Sequence, residues 1–537
     1  MRGIRSILIA LTIVSLTSFK RAECISLVSS HDELQYDAII VGGGLAGLST
    51  ALYLSDQGKR VLILEKNDFV GGLASHDTTA DGLTHSRAAA YWSSPDKRWQ
   101  KKLFERLGIG ESTDRFRIYR PSDSFLYKGK MYRHIWGKEF LAEAPPNFQL
   151  FLEELMRADD RNLIPIHPIE DAKNLTMDDW TAEEWIRNMP VALKRRTSPE
   201  AKALYKKIMS DPRISEDDPM RAVLDLIDVY TRSALGLSVG EVSALALANF
   251  YMSEVEDRFT STKATGEIVE RILNILKSRS KLVEIRTGVT ASSVQPREEG
   301  GTVTSEDIHS KVARIDHAKS VVMALPPKVS AKLVKNFSQI ASDKVEAIES
   351  IRYTPYLIHQ VWVRNYPKDA GYDVWIHDGE YQVGEPTDAI ATQWMDPKHH
   401  YDSEVTLINL YQPLVEEKET PSKERIEELR KIAISSFLRI YNESPNQRVP
   451  LTVEKFQSIF WKDAIHQVRP GFFRKIQSLS QPVGDIYFAS STLGLPSVEE
   501  AMYRGYRAAK AIILKERLAR SQQNCGDSVE ALASLSH

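Results

Sequence analysis

Residues 37–76 read DAIIVGGGLAGLSTALYLSDQGKRVLILEKNDFVGGLASH, and apolar positions are bunched there rather than alternating. The run at 38–41 predicts a strand buried on both faces. A helix follows over 49–57, with Leu48, Leu52 and Leu54 available for packing, and a second strand over 60–64 ends at Glu65. Further along, Phe148, Phe151, Leu152 and Leu155 share one face of a helix over 148–157, and 221–230 and 243–251 read the same way. Pro145-Pro146 and the prolines at 165 and 168 break these runs. From 350 to 415 the pattern shifts to strands, at 357–363, 372–376 and 406–411. Helices are expected over 267–277 and 497–511.

Chemistry enters with the glycines between the first strand and helix. Gly42, Gly44 and Gly47 fit G-x-G-x-x-G. The first permits the tight turn, the second lets the backbone approach a pyrophosphate, and the third lets helix and strand pack closely. Leu45 and Ala46 open the helix, whose N-terminus faces the phosphates. Glu65 stands where an acid takes ribose hydroxyls, with Lys66 beside it. A βαβ unit with all these parts in order is a dinucleotide cradle.

Composition excludes more than it identifies. The chain has 537 residues, long enough for two or more domains, and 70 basic residues against 72 acidic ones leave a net charge of −2. No global field points to nucleic acid or to an anionic membrane surface, and the run Lys194-Arg195-Arg196 is a solvated face. Arg2 and Arg5 precede an apolar run from 7 to 18, short for a spanning helix and suited to a secretory signal over 1–23. The alternative is an uncleaved anchor. A secreted or periplasmic location follows from the signal, with no membrane span in the mature chain. Cys24 and Cys525 allow one disulfide or two thiols and no metal site. Asn174, Asn336 and Asn442 are candidate glycosylation acceptors.

Gly71-Gly72, just past the ribose acid, resembles the signature shared by flavin amine oxidases, protoporphyrinogen oxidases and carotenoid desaturases. That resemblance implies FAD. Leu73 stands where amine oxidases usually carry Arg. Near the other end, the segment 484–491 followed by Leu495-Pro496-Ser497-Val498 resembles the group's closing motif: a strand into the flavin site, then a helix aimed at the isoalloxazine. Ser490-Ser491 replaces the usual Gly-Asp. Residues 281–289, ending in Val289, resemble the strand and loop passing the adenine, and 320–327 the strand ending against the dinucleotide domain. Thr265 replaces the first glycine of a Gly-Gly turn. Residues 460–471 resemble the protoporphyrinogen-oxidase segment before the flavin strand. The algal polyenoic fatty acid isomerases are a further resemblance.

The implied fold is α/β: a discontinuous Rossmann-like FAD-binding domain (37–90, 260–330 and 455–515) with an α+β substrate domain of antiparallel sheet and helices (95–255 and 340–450). Residues 516–537 form a C-terminal tail. The resemblance implies Gly42, Gly44, Leu45, Ala46, Gly47, Glu65, Lys66, Gly72, Leu73, Val289, Ser490, Ser491, Pro496 and Val498 as cofactor contacts.

No catalytic triad, zinc motif or Ser-Gly-Gly-Cys flavin attachment motif is present. In the segment His85-Ser-Arg-Ala-Ala-Ala-Tyr-Trp92, a run of alanines stands where the group approaches the flavin through glycines. His85 is a candidate acid/base, a flavin hydrogen bond or a satisfied polar residue. Arg87 is a candidate partner for a substrate carboxylate, for flavin or for a structural acid, and Tyr91 lies beside them. Trp375, Trp394, Tyr411 and Trp461 are candidate cavity aromatics or core. His466 and Arg469 precede the flavin strand. Three functions are compatible: an FAD oxidoreductase taking a hydride from an amine, amino acid or apolar C–H substrate and passing electrons to oxygen or another acceptor; a redox-neutral isomerase of polyunsaturated fatty acids; and a non-catalytic flavin binder. The substrate is a small molecule, and oligomeric state is open.

Overall fold

The computed structural model describes residues 28–29, 35–80, 82–93, 97–109, 123–127, 129–133, 138–144, 147–165, 167–171, 175–255, 258–367, 370–377, 381–391, 404–417, 419–443 and 447–534. The signal segment, Cys24, Asn174 and Trp394 lie outside these residues.

Two sheets organise the chain. The first places strands Val283–Arg286, Val61–Leu64, Tyr36–Val41, Ala313–Met323, Gly301–Asp307 and Val289–Pro296 side by side. Its centre is parallel: Val41 pairs with Leu64 on one side and Met323 on the other. Ile486–Phe488 joins the far side of the Ala313–Met323 strand, Phe488 opposite Met323. Every residue of Val61–Leu64 is buried, as an apolar run without alternation requires. The cradle helix Leu45–Asp56 lies on this sheet. The closing helix packs against it so tightly that a Cβ at Gly505 would strike the Ala46 carbonyl.

The second sheet runs Thr452–His466, Tyr353–Arg364, Val405–Pro413, Asp388–Ile390, Asp373–His377, Asp123–Tyr127 and Lys130–Arg133. It is antiparallel except where Asp123–Tyr127 meets Asp373–His377. Around it stand the expected helices Phe148–Asp160, Arg221–Leu235 and Ala244–Val255. Phe148, Phe151 and Leu155 are buried in one large core, with Leu152 packed against it.

Three expectations need correcting. Thr452–His466 does not belong with the first sheet: it is a 15-residue edge strand paired along Tyr353–Arg364. Most of its residues are partly or fully exposed, as at the open edge of a sheet. Two strands, Asp123–Tyr127 and Lys130–Arg133, come from the segment 95–255, where the sequence pattern marks helices alone. The closing helix does not stop near 511; it runs Val498–Ser534 through the expected tail, because no proline interrupts it.

Candidate cofactor and substrate site

The carboxyl ends of three neighbouring strands converge on one edge of the first sheet. Gly42 follows Val41, Ala324 follows Met323, and Ala489 follows Phe488, donating its N–H to the Met323 carbonyl at 3.0 Å. Ligands of open α/β sheets bind at such an edge. Gly42 has φ +109°, and a Cβ there would strike the Ala324 carbonyl. A Cβ on Gly47 would strike the Gly42 carbonyl. A Cβ on Gly44, by contrast, would meet nothing within 4 Å. The first and third glycines are therefore required by protein packing, and the second faces open space at the start of the cradle helix. That helix has no side-chain cap and no acid in its first turn, so its leading N–H groups remain available to an anion.

Glu65 braces this loop. Its Oε2 accepts the Gly43 N–H at 2.8 Å, and its Oε1 accepts the Asn67 N–H at 2.9 Å. Val289 donates its N–H to the Glu65 carbonyl at 2.9 Å. The second glycine pair closes over the first: Gly71 N–H donates to the Gly43 carbonyl at 2.8 Å, and Gly72 opens a short 3-10 turn containing Leu73. Cradle, ribose acid, Val289 and second pair thus form one unit, with Lys66 exposed beside it.

From this unit the chain makes a hairpin, His76–Thr78 with Thr84–Ser86, and then a strap over 86–90. The strap is held on both sides through its backbone. On the cradle side, Arg87 N–H donates to the Ser75 carbonyl at 3.1 Å and Ala89 N–H to the Leu73 carbonyl at 2.9 Å. Thr265 donates its hydroxyl to the Ala89 carbonyl at 2.8 Å, which is why a threonine serves where a glycine was expected. On the other side the second sheet donates: Asn409 Nδ2 to Ser86 O at 2.9 Å, Trp461 Nε1 to Arg87 O at 3.1 Å, and the Tyr411 hydroxyl to Ala88 O. Tyr372 and Thr260 both donate to Ala90 O, at 2.8 and 2.7 Å.

The catalytic candidates separate in this frame. His85 is buried, and its Nδ1 lies 2.7 Å from Gln360 Nε2 on the second sheet. Burial holds its pKa below the ordinary histidine value. Arg87 pairs with Asp77 at 3.0 Å and lies over the Phe69 ring, so it is tied to its own hairpin. Tyr91 packs with Tyr372 and Ile390. Trp375 stacks on Tyr230 at 4.7 Å in the core, while Tyr411 and Trp461 hold the strap. Arg469 pairs with Glu241 at 2.9 Å. His466 Nε2 donates to the Gly494 carbonyl at 2.8 Å, and burial pushes its pKa down to about 4.

The closing motif departs from expectation. The Ser490 hydroxyl caps its own turn, accepting the Thr492 N–H at 3.3 Å, and the exposed face of Ser491 is left beside it. Ser490 also lines a small apolar recess with Leu325, Phe337, Phe488 and Leu493; its lysine, Lys344, donates to the Ser478 carbonyl at 2.6 Å. Beyond Pro496, Ser497 caps the helix by accepting the Glu500 N–H at 3.0 Å, and Val498 begins it. Glu499 and Glu500 then occupy the first turn. Burial raises the Glu499 pKa, and its Oε1 accepts the Ser93 N–H at 2.6 Å. Burial also raises that of Glu500, but Arg504 and His167 outweigh it and leave the carboxyl below its usual value. The positive helix end is therefore met partly by the protein's own acids.

Sequence reasoning missed Gln360, Asn409 and Gln457. These are paired across three adjacent strands, Gln360 opposite both Asn409 and Gln457. Neutral amides within strand alternation carry no motif; only the sheet register reveals the row. Among the described residues no group of three histidine, cysteine or acidic side chains could hold a metal. No helix among the described residues is long and apolar enough to cross a membrane.

Comparison with known proteins adds three findings. The family model described as flavin containing amine oxidoreductase matches residues 45–513. A carotenoid 3,4-desaturase of Haloarcula japonica is 31% identical over 118 residues, which is 22% of this chain and 18% of the desaturase. The chain thus matches only about a fifth of the length of that curated relative. Among solved structures, the CLA-producing fatty acid isomerase from P. acnes superposes with a TM-score of 0.62 at 14% identity, covering 88% of this chain and 97% of that one. The cyclohexylamine oxidase from Brevibacterium oxydans gives 0.60 at 16% identity, covering 90% and 99%. FAD is the cofactor, and the residues fit it. Gly44 and the uncapped helix end would take the pyrophosphate, Glu65 would offer its remaining lone pairs to the ribose, and Leu73 leads the chain toward the strap.

Proposed function

The chain belongs to the flavin containing amine oxidoreductase family, and we propose that it is an FAD-dependent oxidoreductase acting on an uncharged C–H donor, an apolar molecule or a neutral amine. Oxygen or another acceptor takes the electrons. The observation that carries this reading is the wall the second sheet turns to the strap. Gln360, Asn409 and Tyr411 reach it, and Ile358 and Ile459 lie in register with Tyr411 on the same face. These five side chains bear no charge, and the acids that continue the same rows, Asp388 opposite Tyr411 and Asp373 opposite Ile390, are buried and engaged by the Ser233 hydroxyl at 2.9 Å and by Trp375 Nε1 at 3.2 Å. A wall of amides, a phenol and aliphatics desolvates a neutral substrate cheaply and an ionised one at a cost of several kcal/mol, on the order of 2–7 even for an unpaired polar group.

When bound, FAD supplies the hydride acceptor, and the chain's own residues orient substrate and exclude water. The strap and its donors form the seam between cofactor and substrate.

The same uncharged wall supports a second reading: a redox-neutral isomerase that moves double bonds of a polyunsaturated fatty acid, as its fold similarity to a fatty acid isomerase also suggests. Lys344, engaged by Ser478, does not offer the carboxylate anchor such a substrate would use. Anaerobic ultraviolet–visible titration of the purified protein separates the readings. Lasting bleaching of the flavin bands by an amine or apolar donor marks net oxidation. Unchanged flavin with new conjugated-polyene absorbance marks isomerisation. Absence of both with every class tested overturns the proposal. We also place the protein on a secretory or periplasmic route, on the strength of Arg2, Arg5 and the apolar run that follows.

A further inference from the structure

We infer that Gln360 is a positioning residue that holds His85 as a neutral imidazole with its proton on Nε2, so that the seam receives an N–H donor and not a base. The inference rests on the functional reading above for its consequence, but not for its geometry.

The geometry is a relay of three side chains. Gln457 donates its amide N–H to Gln360 Oε1, so the Gln360 amide nitrogen faces the ring and donates to His85 Nδ1 at 2.7 Å. An imidazole nitrogen that accepts a hydrogen bond carries no proton, which leaves the proton of the neutral ring on Nε2. The alternative acceptor for an Nδ1 proton is the Ser86 carbonyl, 3.3 Å away, and Asn409 already donates to that oxygen at 2.9 Å. Gln360 is fully buried and lies mid-strand, with Asn409 and Gln457 as its cross-strand neighbours. Its amide is therefore enclosed by a polar row.

Of the charged groups near His85, Asp77 favours the imidazolium, while Arg87 and His76 act against it. Asp77 stands opposite it in the hairpin, but Asp77 is paired with Arg87 at 3.0 Å. Desolvation of the ring works in the same direction, against the imidazolium.

The placement gives the proton a use. His85 immediately precedes the strap, on the second strand of the hairpin that follows the cradle's second glycine pair, and its ring crosses to the second sheet. A hydride passing from a substrate C–H bond to bound FAD would leave the substrate more positive and the flavin more negative. A fixed neutral N–H donor stabilises that negative charge without taking a proton from the substrate. A base at the same position would compete for substrate protons.

The test uses FAD-loaded protein with 15N-labelled histidine, the His85 signals being assigned by their loss in His85→Gln. Long-range proton–nitrogen spectra should show His85 in one neutral form from pH 6 to 8, protonated at Nε2. Gln360→Met, similar in volume and lacking the amide, should convert it to a mixture of tautomers. The flavin midpoint potential should fall in His85→Phe and return toward wild type in His85→Gln, which keeps an N–H donor. A purely structural histidine would not give that rescue. A proton on Nδ1 in the wild type, or an unchanged tautomer in Gln360→Met, overturns the positioning role. A potential that does not move in His85→Phe overturns the donor role. Both readouts stand without any substrate, so failure to find a substrate would count against the functional reading alone.

Discussion

Glu65 holds the backbone N–H of Gly43 on one carboxylate oxygen at 2.8 Å and that of Asn67 on the other at 2.9 Å. The acid at the ribose position therefore shapes the phosphate loop as well. An ionised carboxylate offers about four lone-pair sites, so ribose hydroxyls can be accepted in addition. Glu65→Gln places an amide N–H against one of these backbone donors. Flavin content on purification should fall at least ~10-fold, about 1.4 kcal/mol of binding. FAD titration by absorbance checks this.

The cradle glycines should respond unequally. Gly47→Ala collides with the Gly42 carbonyl and should yield little folded protein. Gly44→Ala meets no protein atom within 4 Å, so it should fold with an apo-protein melting temperature near wild type. Its methyl group fills the space facing the pyrophosphate, and FAD affinity should drop by roughly 10-fold or more. Equal damage from both changes would contradict the assignment of Gly44 to the cofactor.

Arg87 and Asn409 test what the strap depends on. Asp77 is 45% exposed, so the Arg87 pair is screened and Arg87→Ala should cost at most about 1 kcal/mol, with KM little changed. Asn409→Leu strips a donor from the fully buried Ser86 and should cost about 1–3 kcal/mol. Chemical denaturation of each variant gives the comparison. A large rise in KM for Arg87→Ala would restore it as a substrate anchor.

His466 predicts a direction in pH. Burial depresses its pKa to about 4 in the fold, against an ordinary value of 6.5. The stability it contributes is present above pH 6.5 and is lost as pH falls toward 4, because the unfolded chain takes up a proton that the fold refuses. The loss should approach 3 kcal/mol, at about 1.4 kcal/mol per pH unit. His466→Gln should flatten this part of the stability profile, measured as the denaturation midpoint from pH 7 to pH 4.

The N-terminal reading has its own check. Expression in a secreting host should give a mature chain lacking residues 1–23, with Cys24 first. Intact-mass measurement decides it, and a chain retaining its apolar run would identify an anchor instead.

Much of the cradle was legible because each of its parts has a local cause. Gly42, Gly44, Gly47 and Glu65 sit at fixed spacings, and a burial-compatible run flanks them. Arg87 was legible only as a charge, since its partner Asp77 lies across a short hairpin that no periodicity marks. Gln360 was invisible because its importance comes from register: one residue up or down the strand would turn it to the other face. The edge strand Thr452–His466 was misplaced for a related reason. Its sequence resembles the segment that leads to the flavin strand, and only pairing with Tyr353–Arg364 shows which sheet it completes. The closing helix overran its expected end because propensity continued after packing ceased.

The strap over 86–90 is fastened along its carbonyls by neutral side chains from other segments, and through two of its own N–H groups by the backbone of the cradle side. Its route is thus written elsewhere in the chain. The side chains of Ala88 and Ala89, both partly exposed, take no part in holding that route, so larger ones at these two positions should change which molecule fits while leaving the cofactor's seat untouched.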